Sequence, residues 1–148
     1  MEKYNRIKAL ISLDAVKYNF EQMKKNIKEG TKIIAVIKAD AYGHGAVPIA
    51  AMLENLDYIW GFATATAQEA LQLRREGITR PILILGLVFE EYYEELARED
   101  VRMAVCDYET ARKFSEAAAS CGKKALIHLA ADTGMTRIGF KDSEESLE

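Results

Sequence analysis

The stretch Val36-Ile37-Lys38-Ala39-Asp40-Ala41-Tyr42-Gly43-His44-Gly45 sets a lysine at the end of an apolar run and then turns at once toward two glycines. Residues 33–37 are short, rich in β-branched side chains and bounded by turn formers, which is the pattern of a buried strand. Lys38 then emerges at the carboxyl end of that strand. A lysine anchored there beside apolar neighbours is partly desolvated, which disfavours the ammonium form and makes a nucleophilic amine available near neutral pH. Gly43 and Gly45 permit positive φ and close approach of the backbone to a ligand.

Working outward, the chain repeats one pattern. Residues 8–12 alternate weakly and are read as a strand, and Leu13-Asp14 leads into a helix whose apolar positions Val16, Phe20, Met23 and Ile27 recur at helical spacing until Gly30. A helix over 47–56 follows the lysine strand, with Pro48 tolerated in its first turn. Strands are then predicted over 58–63, 82–87, 101–106 and 125–131, separated by helices over 66–76, 90–98 and 108–120, the first and last closed by Gly77 and Gly122. Strand centres recur every roughly 20 to 26 residues, the spacing of successive βα units joined by right-handed crossovers. The strands read as continuous apolar runs, as expected of parallel strands covered on both faces.

Two of these segments carry a family resemblance. Val36 to Gly45 closely resembles the cofactor-lysine signature of the alanine racemases, which use pyridoxal 5'-phosphate (PLP) on a barrel of alternating strands and helices. His128-Leu129-Ala130-Ala131-Asp132-Thr133-Gly134-Met135-Thr136-Arg137-Ile138-Gly139 resembles the same family's DTGM-x-R-x-G segment, and the spacing of Lys38 and Arg137 is close to what the family shows. The implied fold is α/β, a partial (β/α)8 TIM-type barrel of parallel strands with about five of its eight βα units. A complete barrel typically needs about 250 residues. The 148 residues therefore read as one partial domain, 1–148, the amino-terminal part of a larger enzyme lacking the rest of the barrel and a carboxyl-terminal β domain. In the family the segment matching 8–12 joins the sheet of that second domain. The polar stretch 141–148 would begin the next helix.

The resemblance implies interconversion of L-alanine and D-alanine, supplying D-alanine for peptidoglycan. Lys38 would hold PLP as an internal Schiff base and then serve as acid or base on one face of the substrate α-carbon. Tyr42 would offer its hydroxyl to the cofactor phosphate. Arg137 would hydrogen-bond the ring phenolic oxygen and help hold the substrate carboxylate, a task suited to a planar multi-donor cation. The second-face group would be a tyrosine from a partner subunit in a head-to-tail homodimer, so the isolated chain is expected to be inactive and to self-associate. Asp132 and Met135 are expected to shape the turn and line the pocket, His128 to sit within the barrel strand, and His44 to be satisfied by nearby backbone. Many family members carry a lysine, carbamylated, at the position of Ala130; an alanine supplies neither charge nor hydrogen bond to orient Arg137. A serine racemase, a non-catalytic PLP-binding barrel module and an association domain with an idle lysine are the alternative readings.

Composition fits a soluble globular domain, with 49% hydrophobic and 29% charged residues. A net charge of −3 gives no reason to expect a nucleic acid or anionic membrane as partner. Cys106 and Cys121 lack CxxC spacing, so reduced thiols and a cytoplasmic location are expected. No apolar run approaches the roughly 18 residues of a membrane helix. No metal-ligand cluster, Walker loop or Ser-His-Asp arrangement is present in the pattern, and Arg74-Arg75 and the glutamates of 90–95 read as solvated helix faces.

Overall fold

The computed structural model describes residues 7–141 and 143. Five strands, β1 (Ile33–Val36), β2 (Ile59–Thr64), β3 (Ile82–Ile84), β4 (Arg102–Val105) and β5 (Ile127–Leu129), form one sheet in sequential order, and every neighbouring pair is parallel. Helices fill the connections: α1 (Leu13–Lys25) precedes β1, and α2 (Lys38–Gly43), a single left-handed turn, and α3 (Ala46–Leu53) follow it. Then come α4 (Ala67–Arg75), α5 (Tyr93–Arg98) entered through a 3-10 turn at Glu90–Tyr92, and α6 (Tyr108–Ser120). Sequential parallel strands with intervening helices are successive βα units, five of the eight that close a (β/α)8 barrel.

The core lies between the sheet and the helices. Phe62, Ile59, Ile82, Ile84, Met103 and Val105 from the strands meet Leu53, Leu73, Leu96 and Phe114 from the helices, all fully buried. Three of the helices start where a side chain takes a free amide. Ser12, Thr66 and Asp107 cap α1, α4 and α6, each accepting a backbone N–H three residues on. Pro48 sits in the first turn of α3, where its missing N–H leaves no bond unmade.

The outer strands are half covered. On β1, Ala35 and Ile37 face the helices while Ile34 and Val36 are 38% and 43% exposed on the other side. On β5, Ile127 and Leu129 share register with the buried Met103 and Val105, yet they are 39% and 71% exposed, since among the described residues no helix follows that strand. The apolar runs expected to be buried on both faces are so only in the middle of the sheet.

Three local expectations are corrected. Residues 8–12 form no strand, since no described strand lies alongside to take up their hydrogen bonds, and Leu10 is 91% exposed. The first helix stops at Lys25, so Ile27 lies beyond its cap at Asn26. Arg74 is no solvated cation. It donates to the carbonyls of Ile78, Arg80 and Glu99, tying the end of α4 to the loops entering β3 and β4, and burial lowers its pKa from the ordinary arginine value. Of the polar stretch 141–148, positions 142 and 144–148 lie outside the described residues. No helix among the described residues is long and apolar enough to cross a membrane, and none of their acidic, His and Cys side chains group into a metal site.

Candidate active site at the carboxyl ends of the strands

Ile37 donates its N–H to the Ala63 carbonyl at 2.9 Å, fastening the end of β1 to β2, and Lys38 is the next residue. From there the backbone changes hand. Ala39, Asp40, Ala41 and Tyr42 have φ of 50°, 52°, 53° and 56°, four successive non-glycine residues in the left-handed region. Each such residue costs roughly 1–2 kcal/mol relative to the right-handed form. Nothing in the local sequence demands that conformation, so the surroundings must impose it.

Bonds within residues 37–46 close the turn, and the non-local restraint comes from β2 and from Glu69. The Ile37 carbonyl accepts from the Ala41 N–H at 2.9 Å, and the Asp40 carbonyl from the Gly45 N–H at 2.9 Å. Asp40 Oδ1 accepts from the Ala46 N–H at 2.7 Å, so the same aspartate also holds the start of α3. His44 Nδ1 lies 2.9 Å from the Ala41 carbonyl, the backbone satisfaction expected of it. Ala41 is buried beneath the turn. Gly43 and Gly45, at φ of 85° and 91°, carry the chain out of the turn in a backbone region that side chains disfavour.

The Ala39 N–H, first of the left-handed residues, is bound by Glu69 Oε1 at 2.8 Å. The other oxygen of that carboxylate accepts from Ala65 at 2.8 Å and Thr66 at 3.3 Å, while Thr66 Oγ1 accepts from the Glu69 N–H, a complete capping box. Sequence reasoning passed over Glu69. The spacing Thr66-x-x-Glu69 ahead of an apolar helix was the available signal.

The second motif closes on itself. Beyond β5, Ala130 donates its N–H to Val105 at 2.9 Å, and Asp132 Oδ1 accepts from the amides of Gly134 and Thr136 at 3.0 and 2.9 Å. Those amides, Thr136 first, hold the Asp132 carboxyl below its ordinary pKa. Asp132 thus shapes the turn as expected. Ala131 and Phe140 then form a parallel bridge, and a Cβ on Gly139 would come within 2.6 Å of the Asp132 nitrogen, so the closure needs glycine there.

The half-buried Lys38 and the exposed Arg137 line one cleft of about 370 Å³, walled by Leu85, Leu87 and Ile138. Gly86 also lines it, and there a Cβ would stand 2.6 Å from the Ala65 carbonyl oxygen. Neither Gly86 nor Ala65 carried a recognisable signal in the sequence. Tyr42 is 62% exposed and Met135 72%, and neither is among the described residues that line the cleft. His128 sits on the sheet with its ring edge-on to Trp60 at 5.9 Å, and burial, with Arg102 nearby, lowers its pKa. It is a packed histidine, as the sequence suggested.

The contents of the cleft suit PLP chemically. A primary amine can condense with an aldehyde, a guanidinium can take an anionic oxygen, and aliphatic walls can receive a flat ring. The volume falls within the roughly 300–1,000 Å³ of small-molecule sites.

Comparison with known proteins identifies the family and the fold. The family model for the alanine racemase N-terminal domain matches residues 11–148. The alanine racemase of Clostridium tetani is 45% identical over 141 residues, which cover 95% of this chain and 36% of that protein. The chain thus spans little more than a third of the curated relatives it matches. The alanine racemase of Clostridium difficile 630, solved with cycloserine, superposes with a TM-score of 0.89 at 45% identity over 93% of this chain and 37% of its own. The histidine racemase of Leuconostoc mesenteroides subsp. sake gives 0.82 at 34% identity, over 93% of this chain and 36% of its own. A lysine signature, a five-unit parallel sheet and a family model running from residue 11 to 148 agree, and the chain belongs to the alanine racemase family, within its amino-terminal domain.

Proposed function

We propose that the chain supplies one face of a PLP-dependent amino-acid racemase that interconverts L-alanine and D-alanine. The observation that carries this reading is the meeting of Lys38 and Arg137, far apart in sequence, on one apolar-walled cleft at the carboxyl ends of the strands, where βα barrels bind substrates. Bound PLP would supply an electron sink for the negative charge left on the substrate α-carbon. Lys38 would hold the cofactor and afterwards carry the α-proton at its Nζ. Arg137 would orient the cofactor ring oxygen and the substrate carboxylate, and Tyr42 would offer its hydroxyl to the cofactor phosphate. Leu85, Leu87 and Ile138 would keep water from the reacting carbon. Racemisation also needs a group on the opposite face, which this reading assigns to a second subunit of a homodimer. The setting is cytoplasmic, in keeping with two free cysteines and the absence of a membrane-spanning helix among the described residues.

The test is direct. The intact protein, saturated with PLP, should form D-alanine from L-alanine. Lys38→Ala should lower kcat by at least about 10³-fold, near the upper range for one positioned acid or base, while the fold is retained. Borohydride reduction in the presence of PLP should leave its adduct on Lys38, and label spread over surface lysines would refute the assignment. Parallel assays with serine and histidine decide the substrate, since a racemase of this fold is named for histidine.

A further inference from the structure

Glu69 does more than a capping residue requires. A capping-box glutamate returns one oxygen to the start of its own helix and leaves the other to solvent. Here Oε2 serves the helix start through Ala65 and Thr66, and Oε1 faces away from α4 and accepts from the Ala39 N–H at 2.8 Å, across 30 residues of sequence. That amide belongs to the peptide joining Lys38 to the first left-handed residue. Its direction fixes the Lys38 ψ and therefore the start of the turn. Ala65, on the other oxygen, itself lines the cleft beside Lys38. One half-buried carboxylate so ties the end of β1 to the end of β2 at the point where the amine must be aimed.

We propose that Glu69 is a positioning residue for Lys38: its carboxylate clamps the Lys38–Ala39 peptide in the left-handed turn and aims the amine into the cleft, separately from its service as the cap of α4. The aim of the amine toward PLP rests on the function proposed above, whereas the clamp does not.

Three variants of the intact protein separate the two roles. Thr66→Ala removes the cap hydroxyl and leaves the Glu69 carboxylate in place. Glu69→Ala removes both services, and Glu69→Gln keeps the shape but can accept with only one atom. Hydrogen exchange of peptides covering 38–45 is read without cofactor, and the rate of borohydride-fixed PLP capture at Lys38 is read with it. Glu69→Ala should speed exchange in 38–45 and slow capture by at least about tenfold, the order expected for a lost charge-assisted hydrogen bond. Glu69→Gln should fall between Glu69→Ala and the parent. Thr66→Ala should stay within about twofold of the parent for both, since only the cap hydrogen bond is lost. Equal effects of Thr66→Ala and Glu69→Ala would reduce Glu69 to a helix cap and overturn the proposal. If Glu69→Ala fails to fold, parental exchange and capture in Glu69→Gln would overturn it equally. Failure of the parent to capture PLP at Lys38 would count against the proposed function alone, and the exchange data would still decide the clamp.

Discussion

At the residue scale Arg137 poses the sharpest question. It stands exposed at the cleft, and no described residue hydrogen-bonds or ion-pairs with it. Ala130, where the family resemblance implies a lysine, offers only a methyl group toward orienting it. On the proposed function the arginine would be held from elsewhere or by the ligand itself. If Arg137 plays the role proposed for it, adding a lysine at 130 removes no group on which that role depends, whereas removing the guanidinium would delete a multi-donor contact to cofactor and carboxylate. Arg137→Ala is expected to lower kcat/KM for alanine by about 10- to 100-fold, the equivalent of one charge-assisted hydrogen bond, and Ala130→Lys by less. Steady-state kinetics on both variants of the intact protein check this. A larger loss from Ala130→Lys would remove Arg137 from the principal contacts.

At the scale of elements, what could be read from the sequence depended on how local the cause was. The boundaries of α6 were recoverable from 108–120 because Asp107, the apolar spacing and Gly122 all lie within or beside it. The left-handed turn was hidden. Ala39, Asp40, Ala41 and Tyr42 have nothing in common that selects φ near +50°, and the restraint comes from Glu69 and the end of β2, which the local sequence does not contain. Residues 8–12 failed for the opposite reason, since alternation makes a strand only when a neighbour pairs with it. The α6 cap gives a pH-dependent prediction. The Thr110 N–H donates to Asp107 Oδ1 at 2.7 Å and the Thr110 hydroxyl to Oδ2 at 2.8 Å, and these bonds, the backbone one first, hold the Asp107 pKa below 3.8. A depressed carboxylate stabilises the fold fully above its unfolded value of 3.8 and loses that contribution as pH falls through the lower folded value. Asp107→Ala should therefore destabilise by about 1 kcal/mol near neutral pH, with a gap that shrinks below about pH 4. Denaturant melts of parent and variant across that range test the sign, and a gap that widened on acidification would contradict it.

At the scale of the whole molecule, the sheet raises a problem of edges. β1 pairs only with β2, and β5 only with β4, so each presents a row of backbone donors and acceptors without a neighbouring strand among the described residues. Apolar side chains accompany those edges: Ile34 and Val36 on β1 and Ile127 and Leu129 on β5; Leu87, which lines the cleft, and Phe89 in the connection after β3 are 68% and 78% exposed. Open edges flanked by apolar surface recruit further strands, from other elements of the same protein or from other chains. The relatives are nearly three times as long, so in them additional chain is present that can cover such surfaces. The 148-residue chain expressed alone is thus expected to self-associate, with an apparent mass in light scattering that rises with concentration. It is also expected to show no measurable racemase activity. On the proposed mechanism Lys38 would act on only one face of the α-carbon, and the lack of a second acid or base typically forfeits about 10²- to 10⁴-fold in rate. The two outcomes are independent. A concentration-independent monomer would mean that the exposed edges are protected in a way the described residues do not reveal, and D-alanine formation by the isolated chain would mean that the second face is served from within these residues. Adding, as a separate chain, the part of a longer relative that extends beyond the matched region should reduce the association and bring turnover with it if one covering surface serves both.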